Sequence, residues 1–497
     1  KKSKLKKFYI MSQLQEKLYG LKESSDEGVK NISTGDFSSY SEIFIESEKY
    51  LDILTKHKSE IVSVVLPNSI VYFEVLISCI LTGNIFNPIP YFTSDKELER
   101  IFKYVDSKLL ITDRENITSH KSQLRINPKK IKQEYQGKNV YSDLSFSKGS
   151  QIASLYYSSG TTGDPKGVLY SHDNIFYLIE SIIRGFKFSK RTKHLSLLPF
   201  GHTASINYNI FPCLFTKSSI VIAEGFSDIS NKFFKILSKE NISYTQLVPT
   251  IVYILLKINY KLDNLDLKNI IFIGCGSSFL PKDIQEKFQK KFGIRLANLY
   301  GLSETGPSHI DDPRSKDWEP GSIGINLDVN ECKISKDSEI LIKGKNVFSG
   351  YYKNEKLYKK TVVNGWFHTG DLGVYENKKF FFKDRSKDLI IKGGINIIPA
   401  EIEEIIYKNS HVLEVVVVGL KDNIQGEEIF AAISLKDNNI DKNDLQLKLY
   451  KDLSNHLSFY KHPKKIFFLE SIPKTHSGKL KRREVKEILK NEYYKWF

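Results

Sequence analysis

Sulphur is scarce in this chain of 497 residues, which has four cysteines and one methionine, Met11. Cys79, Cys213, Cys275 and Cys332 lie far apart with no CxxC pair, which argues against a disulfide framework and a structural zinc site. They suit a reducing compartment, and a cytoplasmic location is expected. Long hydrophobic runs are also missing. The best candidate, Ile70 to Ile85, is broken by Tyr72, Glu74, Ser78 and Gly83, so no transmembrane segment is expected. The basic opening KKSKLKKFYI is followed by no apolar stretch of about 7 to 15 residues and no small-residue cleavage site, so a secretory signal is not expected either. Arginine supplies only ten of 74 basic residues, set against 58 acidic ones for a net charge of +16. Because the lysines are spread along the whole chain, no nucleic-acid partner is expected; the excess would instead assist capture of a small anionic substrate.

What is present is a large, core-forming chain. Hydrophobic residues make up 40% and charged residues 27%, and at roughly 150 residues per domain two to four units are expected. In the first half, short β-rich runs alternate with amphipathic stretches: Ile61 to Leu66, a helix over Val71 to Leu81, and Phe86 to Pro90. The rhythm recurs at Lys108 to Thr112, Ser219 to Ala223, Tyr244 to Val248 and Ile270 to Ile273, with a helix over Asp283 to Phe292. This predicts an α/β fold with helix-covered parallel sheets. From about residue 319 to 383, short strands at Cys332 to Ile334, Glu339 to Ile342, Gly365 to His368, Val374 to Glu376 and Phe380 to Lys383 predict a small antiparallel, β-barrel-like sheet. Beyond Lys387 a compact α+β domain is expected, with Pro399 opening a helix over Glu401 to Tyr407 and strands at Glu414 to Leu420, Phe430 to Leu435 and Lys465 to Leu469. Helices near Asp441 to Leu457 and through Val485, Ile488 and Leu489 complete it.

The segment Ser158-Ser159-Gly160-Thr161-Thr162-Gly163-Asp164-Pro165-Lys166-Gly167 follows an apolar strand begun at Ile152. Glycines let a backbone turn closely around a polyanion, hydroxyls and amides of Ser158 to Thr162 can donate to phosphate oxygens, and Lys166 adds a positive charge. It is not a Walker loop, because Asp164-Pro165 separates Gly163 from Lys166.

With this loop, and with Ile273 to Pro281, Asn298 to Pro307, Gly365 to Gly373, Lys383 to Glu404 and Pro473 to Arg483 in the same order, the chain resembles the adenylate-forming superfamily, in its acyl-CoA synthetase branch. The resemblance implies a core over residues 1–386, a mobile C-terminal domain over 387–497 and a hinge at Lys387. It implies ATP and CoA as cosubstrates and Mg²⁺ held by Glu304 with Thr161 of the loop. Tyr300 would pack on adenine within Asn298-Leu299-Tyr300-Gly301, and Ser303 would stand where a threonine usually contacts phosphate. Asp371 would hold the ribose hydroxyls, a role that an ionised carboxylate can fill because it accepts from both members of a diol. Arg385 would reach the ribose and α-phosphate. Lys479 would span the acyl carboxylate and the α-phosphate, where a cation between two anions lowers the barrier.

For the acid, the resemblance sets His202 and Thr203 at the acyl pocket, Gly274 and Cys275 beside the acyl group, and Gly276, Ser277 and Ser278 beside adenine. No aspartate occurs between Leu195 and Asn209, where amino-acid-activating relatives usually hold the ammonium group, so an acid without an α-amino group is expected. Some relatives carry a lysine where Ile391 stands here. The neighbouring Lys392 would face the opposite way on a strand. The reading is ATP-dependent activation of a carboxylic acid followed by transfer to CoA. CoA is expected because Arg385 to Glu403 looks closer to acyl-CoA synthetases than to carrier-loading domains and no carrier domain follows Phe497. The alternatives are loading of an acyl carrier protein and, remotely, a non-enzymatic nucleic-acid-binding protein.

Overall fold

The computed structural model describes residues 11–115, 117, 123–131, 147–158, 166–393, 395–422, 424–437, 439–474 and 480–494. Strands buried on both faces, such as Ile61–Val65, need cover on both sides, and the βαβ rhythm supplies it. The result is two large sheets. One has seven strands, ordered Gly350–Tyr351, Lys166–Ser171, Ile152–Ser158, Ile85–Pro88, Ile61–Val65, Leu109–Thr112 and Leu124–Ile126. The other has nine, ordered Ile325–Asn326, Gly306–Asp311, Leu296–Leu302, Phe272–Gly276, Tyr244–Leu247, His194–Ser196, Ile220–Ile222, Gly28–Asn31 and Phe37–Ser39. The central strands of both run parallel. Helices start where the sequence provides caps: Ser39 with Glu42 and Ser171 with Asn174 each form a capping box. One large apolar cluster joins both sheets, and a smaller one packs the helix Asp95–Val105 against the seven-stranded sheet.

A third, antiparallel sheet of five strands follows, built from Asn330–Ile334, Glu339–Gly344, Trp366–Glu376, Val362–Val363 and Lys379–Arg385. Here the expectation needs correction. The runs Gly365 to His368 and Val374 to Glu376 belong to a single strand, Trp366–Glu376, which passes through the polar Thr369-Gly370-Asp371 by means of a left-handed Gly370 (φ 70°) and a bulge between Leu372 and Gly373. Asn377 and Lys378, at φ 51° and 64°, close its hairpin with Lys379–Arg385, the two positive values that a tight two-residue hairpin turn requires. The expected strand Ile270 to Ile273 lies instead at Phe272–Gly276, because glycines are accepted in that strand where neighbouring side chains fill their space.

The C-terminal residues build a fourth sheet of five strands, centred on Gly426–Leu435 between Val412–Asp422 and Lys465–Phe468. Alternate residues of Val412–Asp422 face two separate apolar clusters: Val415 and Val417 meet the helices Pro399–Tyr407 and Lys442–His456, and Val416 and Val418 meet the helix Arg482–Tyr494. Among the described residues, no helix is long and apolar enough to cross a membrane.

Candidate active site

In the nine-stranded sheet the chain turns one way from His194–Ser196 to its neighbour Ile220–Ile222 and the other way through Tyr244–Leu247, Phe272–Gly276 and Leu296–Leu302. Open parallel sheets form their crevice at the carboxyl ends of the strands beside such a reversal. The segments Leu198 to Thr203, Gly276 to Ser278 and Tyr300 to Glu304 all stand at those ends. Pairing fixes their relative height, with Gly274 opposite Ala297, Cys275 opposite Asn298 and Gly276 opposite Leu299.

Glycine is required at two of these positions. A Cβ on Gly301 would stand 2.1 Å from the Gly306 carbonyl oxygen, and one on Gly274 would stand 2.4 Å from Gln246 Oε1. Ser277 adopts φ 69°, a conformation uncommon outside glycine that turns the chain sharply out of the strand and leaves Ser278 exposed. Asn298 is buried, and its Nδ2 donates to the Ser322 carbonyl at 2.8 Å. Cys275 is fully buried, and burial pushes its thiol up, so it is a packing group here and not a nucleophile.

The polar groups converge from three sheets. Strand pairing sets Asp371 directly opposite Arg385, and their side chains form an ion pair with Arg385 Nε 3.3 Å from Asp371 Oδ1. The Tyr300 hydroxyl donates to Asp371 Oδ2 at 2.7 Å. A carboxylate offers about four acceptor positions, so Tyr300 and Arg385 orient Asp371 without by themselves exhausting it. The Tyr300 ring rests on Ile323, Ile340, Ile342 and Phe380, with His309 at its edge 5.4 Å away. Glu304 is 8% exposed and accepts from the Tyr351 hydroxyl at 3.0 Å. Burial pushes its carboxyl up, opposed by the Tyr351 bond and by the nearby charges of Lys166 and Arg385. Lys166 begins the strand Lys166–Ser171 and pairs with Ser158 of the antiparallel strand Ile152–Ser158.

Residues Ser159, Gly160, Thr161, Thr162 and Lys479 lie outside the described residues, as does the side chain of Ser158. Lys387 occupies the short turn Ser386–Asp388 with its side chain exposed. His202 Nδ1 accepts from the Ala204 N–H at 3.2 Å and so caps the helical run that starts at Thr203. On the strand Ile390–Lys392, Ile391 is exposed while Lys392 is ion-paired to Glu428 at 2.5 Å, each facing its own side. Sequence reading missed Tyr351 and Tyr170, whose hydroxyls hold the Glu304 carboxylate and the Ser303 carbonyl. It also missed Glu339, which accepts from the Gly370 N–H at 2.8 Å and so supports the strand beside Asp371. Tyr170 is buried, but nothing local pairs it with residue 303.

Residues 28–352 match the family described as AMP-binding enzyme, and residues 401–479 match the AMP-binding enzyme C-terminal domain. The chain belongs to the AMP-binding enzymes. Among curated relatives, this AMP-binding enzyme is 34% identical over 364 residues to a long-chain-fatty-acid–CoA ligase of Bacillus subtilis. The match covers 69% of the chain and 63% of that ligase, so the chain spans less than two thirds of the length of this relative. It is 32% identical over 340 residues to a 2-succinylbenzoate–CoA ligase of Listeria monocytogenes, covering 68% and 70% respectively. Among solved structures, the o-succinylbenzoate CoA synthetase of Bacillus subtilis, in complex with its acyl-adenylate intermediate, superposes with a TM-score of 0.83 at 25% identity, covering 96% of this chain and 98% of that one.

Proposed function

We propose that this AMP-binding enzyme joins a carboxylic acid to ATP and passes the acyl group to CoA. The observation that carries this reading is the convergence of Tyr300, Glu304, Asp371, Arg385 and Lys166, drawn from three sheets, on one another. In the first half-reaction an acid oxygen attacks the α-phosphorus of ATP, the bond to pyrophosphate breaks and an acyl-adenylate remains. In the second, the sulphur of CoA attacks the acyl carbonyl and the bond to AMP breaks. Splitting the reaction replaces hydroxide with AMP as the leaving group.

The roles follow from placement. Asp371, oriented by Tyr300 and Arg385, accepts from the ribose diol, and the Tyr300 ring offers adenine a flat face. Arg385 and Lys166 neutralise phosphate charge. Lys479, at the end of the C-terminal family match, is the cation for the meeting of carboxylate and α-phosphate. Glu304 fits Mg²⁺: it is a buried carboxylate, disfavoured as an anion by its surroundings, in a site where substrate phosphates supply the remaining oxygens. When bound, the ion would supply Lewis-acid stabilisation of the phosphates, and Thr161 is the second residue that the family resemblance assigns to it. His202 and Thr203 line the acid's entry, and the absence of an aspartate between Leu195 and Asn209 favours acids without an α-amino group. That CoA ligases stand among the relatives supports CoA over a carrier protein. The domain boundary is set at Lys387.

The test is acid-dependent ATP–pyrophosphate exchange across short-chain, medium-chain, long-chain, aryl and amino acids. Exchange with at least one non-amino acid is expected, and the best acid should then give thioester with CoA in preference to holo carrier protein. Exchange with none of them, or salt-sensitive DNA binding in its place, would overturn the reading.

A further inference from the structure

We propose that Asp384 is a positioning residue that holds the C-terminal domain in the arrangement of this structure by capping one of that domain's helices from across the hinge. The helix Pro399–Tyr407 is poorly equipped at its start. Its N-cap residue is Ile398, which makes no side-chain cap, and Pro399 in the first turn has no N–H. The first backbone donor in need of a partner is the Ala400 N–H, and it donates to Asp384 Oδ2 at 2.9 Å. Asp384 belongs to the strand Lys379–Arg385, on the other side of Lys387 from the helix it caps. Only 3% of it is exposed, and its Oδ1 accepts from the Arg385 N–H at 2.7 Å. A carboxylate at a helix N-terminus gains both from the backbone donor and from the helix dipole.

The far side of the hinge is tied as well. Arg482 grips Glu403 of the same helix with both Nη atoms, at 2.5 and 2.8 Å, and donates to the Val417 carbonyl at 2.7 Å. Its Nε lies 3.8 Å from Asp388 Oδ2. The turn Ser386–Asp388 is therefore bracketed, by Asp384 on the helix start and by Asp388 on Arg482.

A second cross-hinge contact supplies the ruler, because the rings of Tyr253 and Tyr407 stack with centroids 6.5 Å apart. Cross-linking of the full chain carrying Tyr253→Cys and Tyr407→Cys by a bifunctional thiol reagent whose spacer takes the place of the two tyrosine rings reports how often this arrangement is occupied, and it needs no substrate. Adding Asp384→Ala should slow cross-linking about fivefold, the factor expected from losing a helix cap. Asp384→Asn keeps an acceptor oxygen and should slow it less. Ile398→Ser in the Asp384→Ala background separates positioning from plain helix stability: a local cap should restore the melting temperature but leave cross-linking slow. An unchanged cross-linking rate in Asp384→Ala, or its full recovery with Ile398→Ser, would overturn the proposal. The kinetic consequence rests on the two-step reading above: Asp384→Ala should change the ratio of thioester formation to pyrophosphate exchange while the KM for ATP holds. Absence of exchange with every acid would sink that reading and leave the cross-linking result standing, so the two failures are distinguishable.

Discussion

The body of the chain centres on one large apolar cluster that joins both large sheets, with smaller clusters beside it, whereas the C-terminal domain has two small clusters on opposite faces of one sheet. In the body, Asp371 is held by its cross-strand partner Arg385, and Glu304 by a hydrogen bond from the Tyr351 hydroxyl on the neighbouring sheet. The C-terminal domain is held to the body by discrete polar and ring contacts, such as Asp384 to Ala400 and Tyr253 to Tyr407. A nucleotide cradle needs fixed geometry, and a part that must turn needs a self-contained core with contacts that can be exchanged. Under the proposed two-step reaction, the large cluster of the body would serve the first requirement and the separately packed C-terminal domain the second.

The comparison can be broken most forcefully at Lys479, the cation that the proposed first half-reaction draws from the small domain. Lys479→Ala should lower pyrophosphate exchange by roughly 10²-fold or more with little change in ATP affinity; undiminished exchange would remove this lysine from the chemistry. Next comes the hinge. Lys387→Pro should still form adenylate yet lose thioester formation, since a proline cannot absorb the backbone change, and an equal fall in both steps would argue against a turn at this residue. On the body's side, Asp371→Ala should raise the KM for ATP by about tenfold or more, the effect of losing hydrogen bonds to a charged group. The separation of cores predicts that Leu449→Ala, at a fully packed position of the small domain, costs about 2–5 kcal/mol in that domain alone. Calorimetry should then show one transition moving and the other staying.

The smallest effect concerns acid. Burial pushes His172 down to about 4, and His194 and His309 to about 3, all three within the body. Each stays neutral in the folded chain while the unfolded chain takes up a proton near pH 6.5, so their contribution to stability is whole above that pH and drains as pH falls toward 4. His172→Gln should make the body's acid-side loss of melting temperature shallower and leave the small domain's transition alone. An unaltered slope would mean that His172 is not among the groups that titrate on unfolding.

Much of this is legible in the sequence because the chemistry sits where backbone patterns change. Gly276-Ser277-Ser278 and Tyr300 to Glu304 follow apolar runs, and a strand end followed by glycine and hydroxyl residues marks the crevice before any fold is known. Pro399 likewise announces its helix. What escapes is of two kinds. The strand Trp366–Glu376 reads as two because Thr369-Gly370-Asp371 breaks the apolar alternation, and only the pairing with Lys379–Arg385 carries it through. The supports Tyr351, Tyr170 and Glu339 act on residues tens to more than a hundred positions away, and no local periodicity encodes such a partnership. Asp384 belongs with them: beside Arg385 it looks like an ordinary surface carboxylate, and its partner is identified only by a helix that cannot cap itself.

The hairpin closed by Asn377 and Lys378 carries a last consequence. Side chains on a strand alternate faces, so deleting or adding a single residue at that distant bend would slide the ladder and swing Asp371 and Arg385 to opposite sides of their ribbon. A substitution there is a local matter. A change of length is a change of address for the Asp371–Arg385 pair, and under the proposed function it should silence the enzyme as thoroughly as erasing the carboxylate.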